Sequence, residues 1–294
     1  MNKGIIQKKL ENKQEVKKQH SNITSKKIVL LITASILPQE KRFLKVREPR
    51  QRLNQYLDSL KFYITKTNIT KIVLCDNSGY EFPSADIITL AKKYGKKIEI
   101  VQFIGNREKI IVNGKGYGEG EIIEYALANS HLLREAKYFI KITGRIKVTN
   151  IDKIIEKMDI TKVYMNKVIR NFGKPQKEKK IDTILYGIPK EIYVAALVDA
   201  YMDVCDKRGI YLEHVFYDRI VKSKLVIYNI PQFPVIKGVS GSLGSQYQET
   251  IGWERCLYEL LSSLFLFNSD PLRDAVTYIF DGLSFYLGGN KRTR

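Results

Sequence analysis

The segment YFIKITGRIKVTN, from Tyr138 to Asn150, begins with aromatic and β-branched residues and then breaks at Thr143-Gly144-Arg145. Its first residues are typical of a buried strand. In open α/β sheets, ligands bind just beyond the carboxyl ends of the strands. The segment therefore predicts a buried strand that delivers Thr143 and Arg145 to a binding crevice.

Similar apolar runs precede this strand, and amphipathic helical patterns separate them. The predicted strands are KIVLLITASI (27–36), TKIVLCDNSGY (70–80) and KKIEIVQFIG (96–105), and the predicted helices are EPRQRLNQYLDSLKFYI (48–64), ADIITLAKKYG (85–95) and GEGEIIEYALANSHLLREA (118–136). This alternation predicts an α/β fold with a mostly parallel, Rossmann-like sheet that carries helices on both faces.

The pattern after Ile151 is less regular. It predicts strands over TKVYMNKVI (161–169), TILYGIP (183–189) and KLVIYNIP (224–231), and helices over KEIYVAALVDAYMDVCDKRG (190–209), IYLEHVFYDRIVKS (210–223), WERCLYELLSSLFLF (253–267) and PLRDAVTYIFDGLSFYL (271–287). We therefore expect a helical C-terminal part.

The charge of the chain favours anionic partners. The 294 residues include 50 Lys and Arg against 31 Asp and Glu, a net charge of +19. Such a charge attracts nucleic acid, anionic lipid or a phosphorylated small molecule. Nucleic acid is the weaker interpretation, because the basic residues are spread along the chain and form no recognition motif.

Cysteine usage and hydropathy predict a cytoplasmic protein. Cys75, Cys205 and Cys256 are far apart and form no CxxC motif, which predicts neither a disulfide framework nor a zinc site. The longest apolar run, residues 28–37, is too short for a membrane span of about 20 residues. The lysine-rich residues 1–26 lack a signal-peptide pattern and suit peripheral attachment to the inner face of the membrane.

Polar residues follow the predicted strands. Thr33 and Ala34 end the first strand, and Asp76 and Asn77 end the second. We expect the Asp76 carboxylate to accept hydrogen bonds from a nucleobase or ribose in the crevice, and Thr33 to help hold the same nucleoside. The alternative is that Asp-Asn-Ser-Gly only forms a tight turn.

The stretch GKGYGEGE (114–121) predicts a glycine-rich loop that opens a helix. It matches neither the Walker motif nor the dinucleotide fingerprint. Its glycines would let the backbone approach a phosphate, so Lys115 and Gly116 are candidate phosphate ligands. The alternatives are a loop without a ligand, and Glu119 and Glu121 as residues favoured in the first turn of a helix.

Three of these stretches carry a family resemblance. IVLCDNSGY resembles the second strand of nucleotide-sugar glycosyltransferases with the GT-A fold, and LLITASILP resembles their first strand. GKGYGEGEIIEYALANS…AKYFIKITGR is similar to the block that leads into their Asp-x-Asp strand. The resemblance covers about residues 27–150. It implies a hexosyltransferase-type enzyme of bacterial capsule, O-antigen or lipopolysaccharide biosynthesis, with a nucleotide-diphosphate sugar donor and a glycan or lipid-linked acceptor.

The chain departs from the family at the metal-binding motif. Thr143-Gly144-Arg145 stands where the family places Asp-x-Asp, so no metal ligand is predicted and an Mg or Mn cofactor is not firmly implied. Arg145 would supply the positive charge to the diphosphate as a two-pronged ligand. The alternative is a structural ion pair. Lys237, in FPVIKGVSGSLGSQY (233–247), is a further candidate diphosphate ligand on a loop.

An inverting member of this family would also need a general base. YLEHVFYDRI (211–220) is similar to the family's acceptor-side segment, so Glu213 is the first candidate and Asp218 the second. The alternative is a solvated helix, and a retaining enzyme would need no such base.

Charge, periodicity and the resemblance together divide the chain into four parts. Residues 1–26 form a basic arm that we expect to be disordered, 27–150 the nucleotide-sugar-binding half, 151–268 the acceptor-side half of the same domain, and 269–294 an amphipathic helix and basic tail. A sugar-phosphate nucleotidyltransferase is the main alternative enzyme, although TASILPQEKRF (33–43) lacks the glycines expected of one. A non-catalytic nucleic-acid-binding protein is the other alternative.

Overall fold

A computed structural model of the protein describes residues 28–38, 45–170 and 178–239. Three predicted features lie outside these residues: the basic arm, the end of the 233–247 loop, and the two helices predicted over 253–267 and 271–287. No helix in the described ranges is both long and apolar enough to cross a membrane.

From β1 to β4 the described chain passes from each strand through one or more helices to the next strand, as the sequence predicts. The strands are β1 Ile28–Ala34, β2 Lys71–Asp76, β3 Lys97–Gln102, β4 Tyr138–Thr143, β5 Ile146–Val148, β6 Val163–Tyr164, β7 Lys167–Arg170, β8 Glu178–Ile181, β9 Leu185–Pro189, β10 Ile227–Tyr228 and β11 Ile236–Gly238. The helices are α1 Pro49–Lys66, α2 Ser84–Lys93, α3 Arg107–Asn113, α4 Lys115–Asn129, α5 His131–Glu135, α6 Ile151–Glu156, α7 Lys190–Ala196 and α8 Leu212–Lys222.

Seven of the strands form one sheet in the order β10-β6-β9-β4-β1-β2-β3. Every pairing is parallel except those of β9, which runs antiparallel to β4 and β6. The predicted α/β class with a mostly parallel sheet is confirmed. Strands from 27–150 and from 151–268 pair within this sheet, so both ranges contribute to one structural unit.

Burial of β1 explains its continuous apolar sequence. All seven of its residues are buried, because helices cover both faces of the sheet. Val29 and Leu31 pack into a core with α4 and α8, whereas Leu30 and Ile32 pack into a second core with α1. The central strands are therefore fixed, and their carboxyl ends lie in register.

Two helix predictions are wrong in their boundaries. The helix predicted over 118–136 divides at Ser130, whose extended backbone ends α4 and whose side chain accepts a hydrogen bond from the Leu133 amide to begin α5. The helix predicted over 190–209 ends at Ala196. Short 3-10 turns follow at Ala200–Asp203 and Asp206–Arg208, and the first of them packs against α4.

The prediction of a loop over residues 114–121 is also wrong. Only Gly114 has a loop conformation, with a φ of 102°, and α4 begins at Lys115. Gly116, Gly118 and Gly120 therefore lie inside the first two turns of a helix.

Candidate functional site at the carboxyl edge of the sheet

The carboxyl ends of β1, β2 and β4 lie side by side. Thr33 pairs with Thr143, and Ala34 pairs with Asp76. The Gly144 amide donates a hydrogen bond to the Thr33 carbonyl at 3.0 Å, and the Asn77 amide donates to the Ala34 carbonyl at 3.3 Å. The structure thus brings the predicted strand-end residues together, and buried Thr33 and Ala34 form the floor of the edge.

Asp76 is fully enclosed. The residue is 0% exposed; one carboxylate oxygen accepts from the Ile36 amide at 2.8 Å, and the other accepts from the amide and hydroxyl of Ser78 at 2.9 and 2.5 Å. Burial raises the pKa of the carboxyl, while the bonds from Ser78 and Ile36 and the nearby Arg52 charge oppose that rise. The expectation that this carboxylate meets a nucleoside does not fit these bonds. Instead, Asp76 joins the end of β2 to the segment after β1.

We expect Asp76→Asn to lower the free energy of unfolding by about 1–2 kcal/mol, because the new amide group faces a backbone N–H that loses its acceptor. Urea denaturation measures the change. Asp86→Asn, at an exposed position in α2, is the control and should change stability little. A stable Asp76→Asn protein with weakened nucleotide binding would instead support direct contact.

Asn77 connects the sheet edge to α4. Its side-chain amide donates to the Gly118 carbonyl at 3.3 Å, and the residue is 3% exposed. Its Oδ1 is buried and has no hydrogen-bond partner among the described residues. An unsatisfied buried oxygen is costly, so a donor group from a ligand would be stabilising here.

Two arginines lie on the α1 side of the edge. The Arg52 guanidinium is buried and donates to the carbonyls of Ser35 and Val46 at 2.8 and 3.1 Å. Burial lowers its pKa, and the nearby Arg145 charge lowers it further. The negative charge of Asp76 acts in the opposite direction and partly offsets the two positive charges. This part of the edge therefore carries an excess of positive charge.

Arg145 itself is weakly held. It is 9% exposed, and its side-chain hydrogen bond to Gln55 Oε1 is long at 3.5 Å. Its Nε is buried with no partner among the described residues. The predicted alternative of a structural ion pair does not apply to the described part of the chain, where no carboxylate lies within 4 Å of this guanidinium.

A second charged group lies on the opposite face of the sheet. Lys141 in β4 is fully buried, and its ammonium group donates to Glu119 of α4, to Thr143 Oγ1 at 3.2 Å and to the Thr183 carbonyl at 2.6 Å. Burial raises the pKa of Asp182, which precedes Thr183 in the chain. The Lys141 charge opposes this rise, whereas the charges of Glu213 and Glu119 add to it. Glu119 therefore pairs with the buried lysine, and Asp182 lies close enough to Lys141, Glu119 and Glu213 to be affected by their charges.

The two candidate bases are separated by the structure. Glu213 lies in the first turn of α8, is half-buried, and is close enough to Asp182 to affect its pKa. Asp218 is exposed and lies about 140° around the helix from Glu213. Only Glu213 is therefore brought to the carboxylate group beside β4.

The predicted cationic ligands occupy different places. Lys115 is exposed at the first residue of α4, and its amide donates to Asp206 Oδ2 at 3.1 Å. Lys237 is exposed on β11, which pairs with β5 directly after Arg145; a Cβ at Gly238 would lie 2.6 Å from the Arg145 carbonyl oxygen. Lys237 therefore stands near the Arg145 turn.

Close packing explains the glycines of α4. A Cβ at Gly116 would lie 3.1 Å from Leu212 Cβ, one at Gly118 would lie 3.2 Å from Asn77 Nδ2, and one at Gly120 would overlap the side chain of Tyr201. The absent side chains let three elements approach the helix. Gly116 therefore has a packing role in this structure, and its contact with a phosphate stays a prediction.

Sequence reasoning missed Arg52, Lys141 and Asp182. Lys141 carried a usable signal, because a charged residue inside an apolar central strand is rarely buried without a partner. Arg52 gave no signal within an ordinary amphipathic helix. Across the described ranges, no group of three or more His, Cys, Asp or Glu residues is arranged to hold a metal ion.

No known protein-family model and no curated protein matches the sequence. Solved structures similar to the chain include a protein assigned as a nucleotide-diphospho-sugar transferase from Desulfovibrio desulfuricans G20, with 10% identity, a TM-score of 0.45, and coverage of 89% of this chain and 96% of that one. The glycosyltransferase GlyE of Streptococcus pneumoniae TIGR4 has 9% identity and a TM-score of 0.47, with 88% of this chain and 63% of that chain covered.

A third similar structure is 4-diphosphocytidyl-2C-methyl-D-erythritol synthase from Anaerococcus prevotii DSM 20548, with 13% identity, a TM-score of 0.39, and coverage of 84% of this chain and 98% of that one. The similar structures therefore include nucleotide-diphospho-sugar transferases and glycosyltransferases, the class that the sequence resembles.

Proposed function

We propose that the protein is a glycosyltransferase, which transfers a sugar from a nucleotide-diphosphate donor to a surface polysaccharide or lipid-linked oligosaccharide. The observation that carries this proposal is Arg145, a buried guanidinium with an unpartnered Nε at the carboxyl edge of a parallel sheet. Ligands of such sheets bind at this edge. An anion of the size and charge of a diphosphate would supply the missing acceptor.

The residues of the edge suggest a division of roles. Asn77 would contact the nucleoside, and Thr33, Ala34 and Asp76 would shape the floor beneath it. Arg145 would bind the diphosphate, with Lys237 and Lys115 adding positive charge from exposed positions. Thr143 lies between this group and the carboxylates.

Glu213 would act on the acceptor. In an inverting reaction its carboxylate takes the proton of an acceptor hydroxyl as the oxygen bonds to the anomeric carbon of the donor sugar. The bond from that carbon to the diphosphate breaks at the same time, and the departing oxygen keeps the electron pair. A fixed guanidinium stabilises the charge that develops on the diphosphate.

A thermal-shift screen with UDP, GDP, CMP and dTDP tests the proposal. A ligand that binds only the folded state raises the melting temperature; at 100 times its Kd the stabilisation is about 2.7 kcal/mol. We expect one nucleotide diphosphate to stabilise the protein. If none does, and the protein instead binds nucleoside triphosphate with sugar phosphate and releases pyrophosphate, it is a nucleotidyltransferase and the proposal is wrong.

The acceptor class and the cell location stay predictions. We expect the lysine-rich arm to bind an anionic membrane surface, where lipid-linked acceptors are found. Each basic residue near such a surface contributes about 1 kcal/mol of attraction. That arm lies outside the described residues, so this attachment rests on the sequence alone.

A further inference from the structure

Lys141 is an unusual residue for the centre of a sheet. It lies in β4 between β1 and β9, is 0% exposed, and uses its ammonium group on three acceptors from different parts of the chain. Burying an ammonium group costs several kcal/mol, and apolar residues of similar size often replace such pairs without loss of stability. Packing of the sheet therefore does not by itself explain why a lysine stands here.

The effect of Lys141 is to hold Glu119. The two side chains form an ion pair in which the lysine is fully buried, while the glutamate remains 26% exposed. Thr143, the second side chain bound by Lys141, is also partly exposed at the end of β4. The lysine thus lies beneath the surface and fixes two partly exposed oxygen-bearing groups, one on α4 and one at the end of β4.

The charges on the two faces of the sheet differ. Arg52 and Arg145, with Asp76, leave the α1 face positive, whereas Glu119, Asp182 and Glu213 exceed Lys141 on the α4 face. A diphosphate would be attracted to Arg52, Arg145 and the exposed Lys115, and repelled by the three carboxylates. Carboxylates accept strong hydrogen bonds from hydroxyl groups, so the second face suits a neutral polyhydroxyl group.

We infer that Glu119 accepts hydrogen bonds from hydroxyl groups of the transferred sugar, and that Lys141 is the positioning residue that orients its carboxylate. This inference rests on the proposed function. It places the sugar between the Arg145 side, where the diphosphate binds, and Glu213, where the acceptor is activated.

The test uses Glu119→Gln, which keeps an oxygen for Lys141 but removes the charge. Titration calorimetry compares the Kd of UDP with that of UDP-glucose and UDP-galactose. If the screen selects GDP, the comparison is between GDP and GDP-mannose. We expect the Kd of the nucleotide sugar to rise at least tenfold and that of the nucleotide to stay unchanged. Glu108→Gln, at an exposed position in α3, is the matched control and should change neither.

A second readout separates binding from structure. The wild-type protein should bind a deoxy-sugar donor that lacks the recognised hydroxyl much more weakly than the parent donor, and Glu119→Gln should reduce this discrimination. Lys141→Arg, which keeps the charge, should retain more discrimination than Lys141→Met. If Glu119→Gln does not fold, Glu119→Asp moves the carboxylate back by one methylene and serves in its place.

The outcomes distinguish this inference from the proposed function. Unchanged nucleotide-sugar affinity in a folded Glu119 variant overturns the inference alone, and so does an equal loss for nucleotide and nucleotide sugar. If the wild-type protein binds neither ligand, the proposed function itself is wrong.

Discussion

Arg145→Ala is expected to lower turnover of the donor on the order of a hundredfold while the protein stays folded. A fixed positive charge beside a departing diphosphate contributes a few kcal/mol to the stabilisation of the transition state, which corresponds to this factor. The fold should tolerate the change, because Arg145 makes one long hydrogen bond to Gln55 and its Nε has no partner among the described residues. Donor turnover measures the expected loss of activity, and the melting temperature shows whether the variant stays folded.

Variants and chelation refine the test. Arg145→Lys should recover only part of the activity, since lysine keeps the charge but not the two-pronged geometry. Arg50→Ala, at an exposed position on α1, is the matched control and should be close to wild type.

Transfer should persist in excess EDTA, because the end of β4 offers Thr143 and Arg145 where a metal would need carboxylates. If EDTA abolishes activity and Mn²⁺ restores it, Arg145 does not replace a metal, and ligands such as Glu119 or Glu121 must be tested.

The sheet could be predicted because its sequence signals are local. β1 is apolar at nearly every position, and helices separate β1, β2, β3 and β4 from one another, so the order of these elements follows from periodicity. The antiparallel β9 could not be predicted in this way. Whether a short strand such as TILYGIP enters the sheet parallel or antiparallel depends on the path of the chain, which residue types do not encode.

The site was less predictable, because residue type does not reveal which partner a side chain finds. Asp76 and Arg145 both stand at strand ends and looked equivalent as candidate ligands. The structure gives the Asp76 carboxylate three internal donors, whereas it leaves Arg145 Nε with none in the described ranges. That difference arises from Ile36 and Ser78, whose backbone positions depend on the tertiary fold.

The glycines of α4 show how one pattern can serve two purposes. Close approach of the backbone to a phosphate and close packing of a helix both require the absence of a side chain. Sequence spacing alone cannot distinguish them. A substitution can, because the two roles predict opposite effects on stability.

Gly120→Ala is expected to lower the free energy of unfolding by about 3 kcal/mol. In an unobstructed helix, alanine is more stable than glycine by about 0.5–1 kcal/mol, so a loop or an open helix would tolerate or gain from the change. Here the new Cβ would overlap the side chain of Tyr201, and the 3-10 turn that carries it would have to move.

Gly118→Ala is the matched comparison on the same helix. Its Cβ would lie 3.2 Å from Asn77 Nδ2, a group that can shift slightly, so we expect a much smaller loss of stability. Urea denaturation of both variants measures the difference. If Gly120→Ala is as stable as wild type but binds nucleotide diphosphate more weakly, the glycines serve a phosphate, and the packing of α4 against Tyr201 is not what requires them. If it unfolds more easily than Gly118→Ala, Gly120 is required by the close packing of α4 against the 3-10 turn that carries Tyr201.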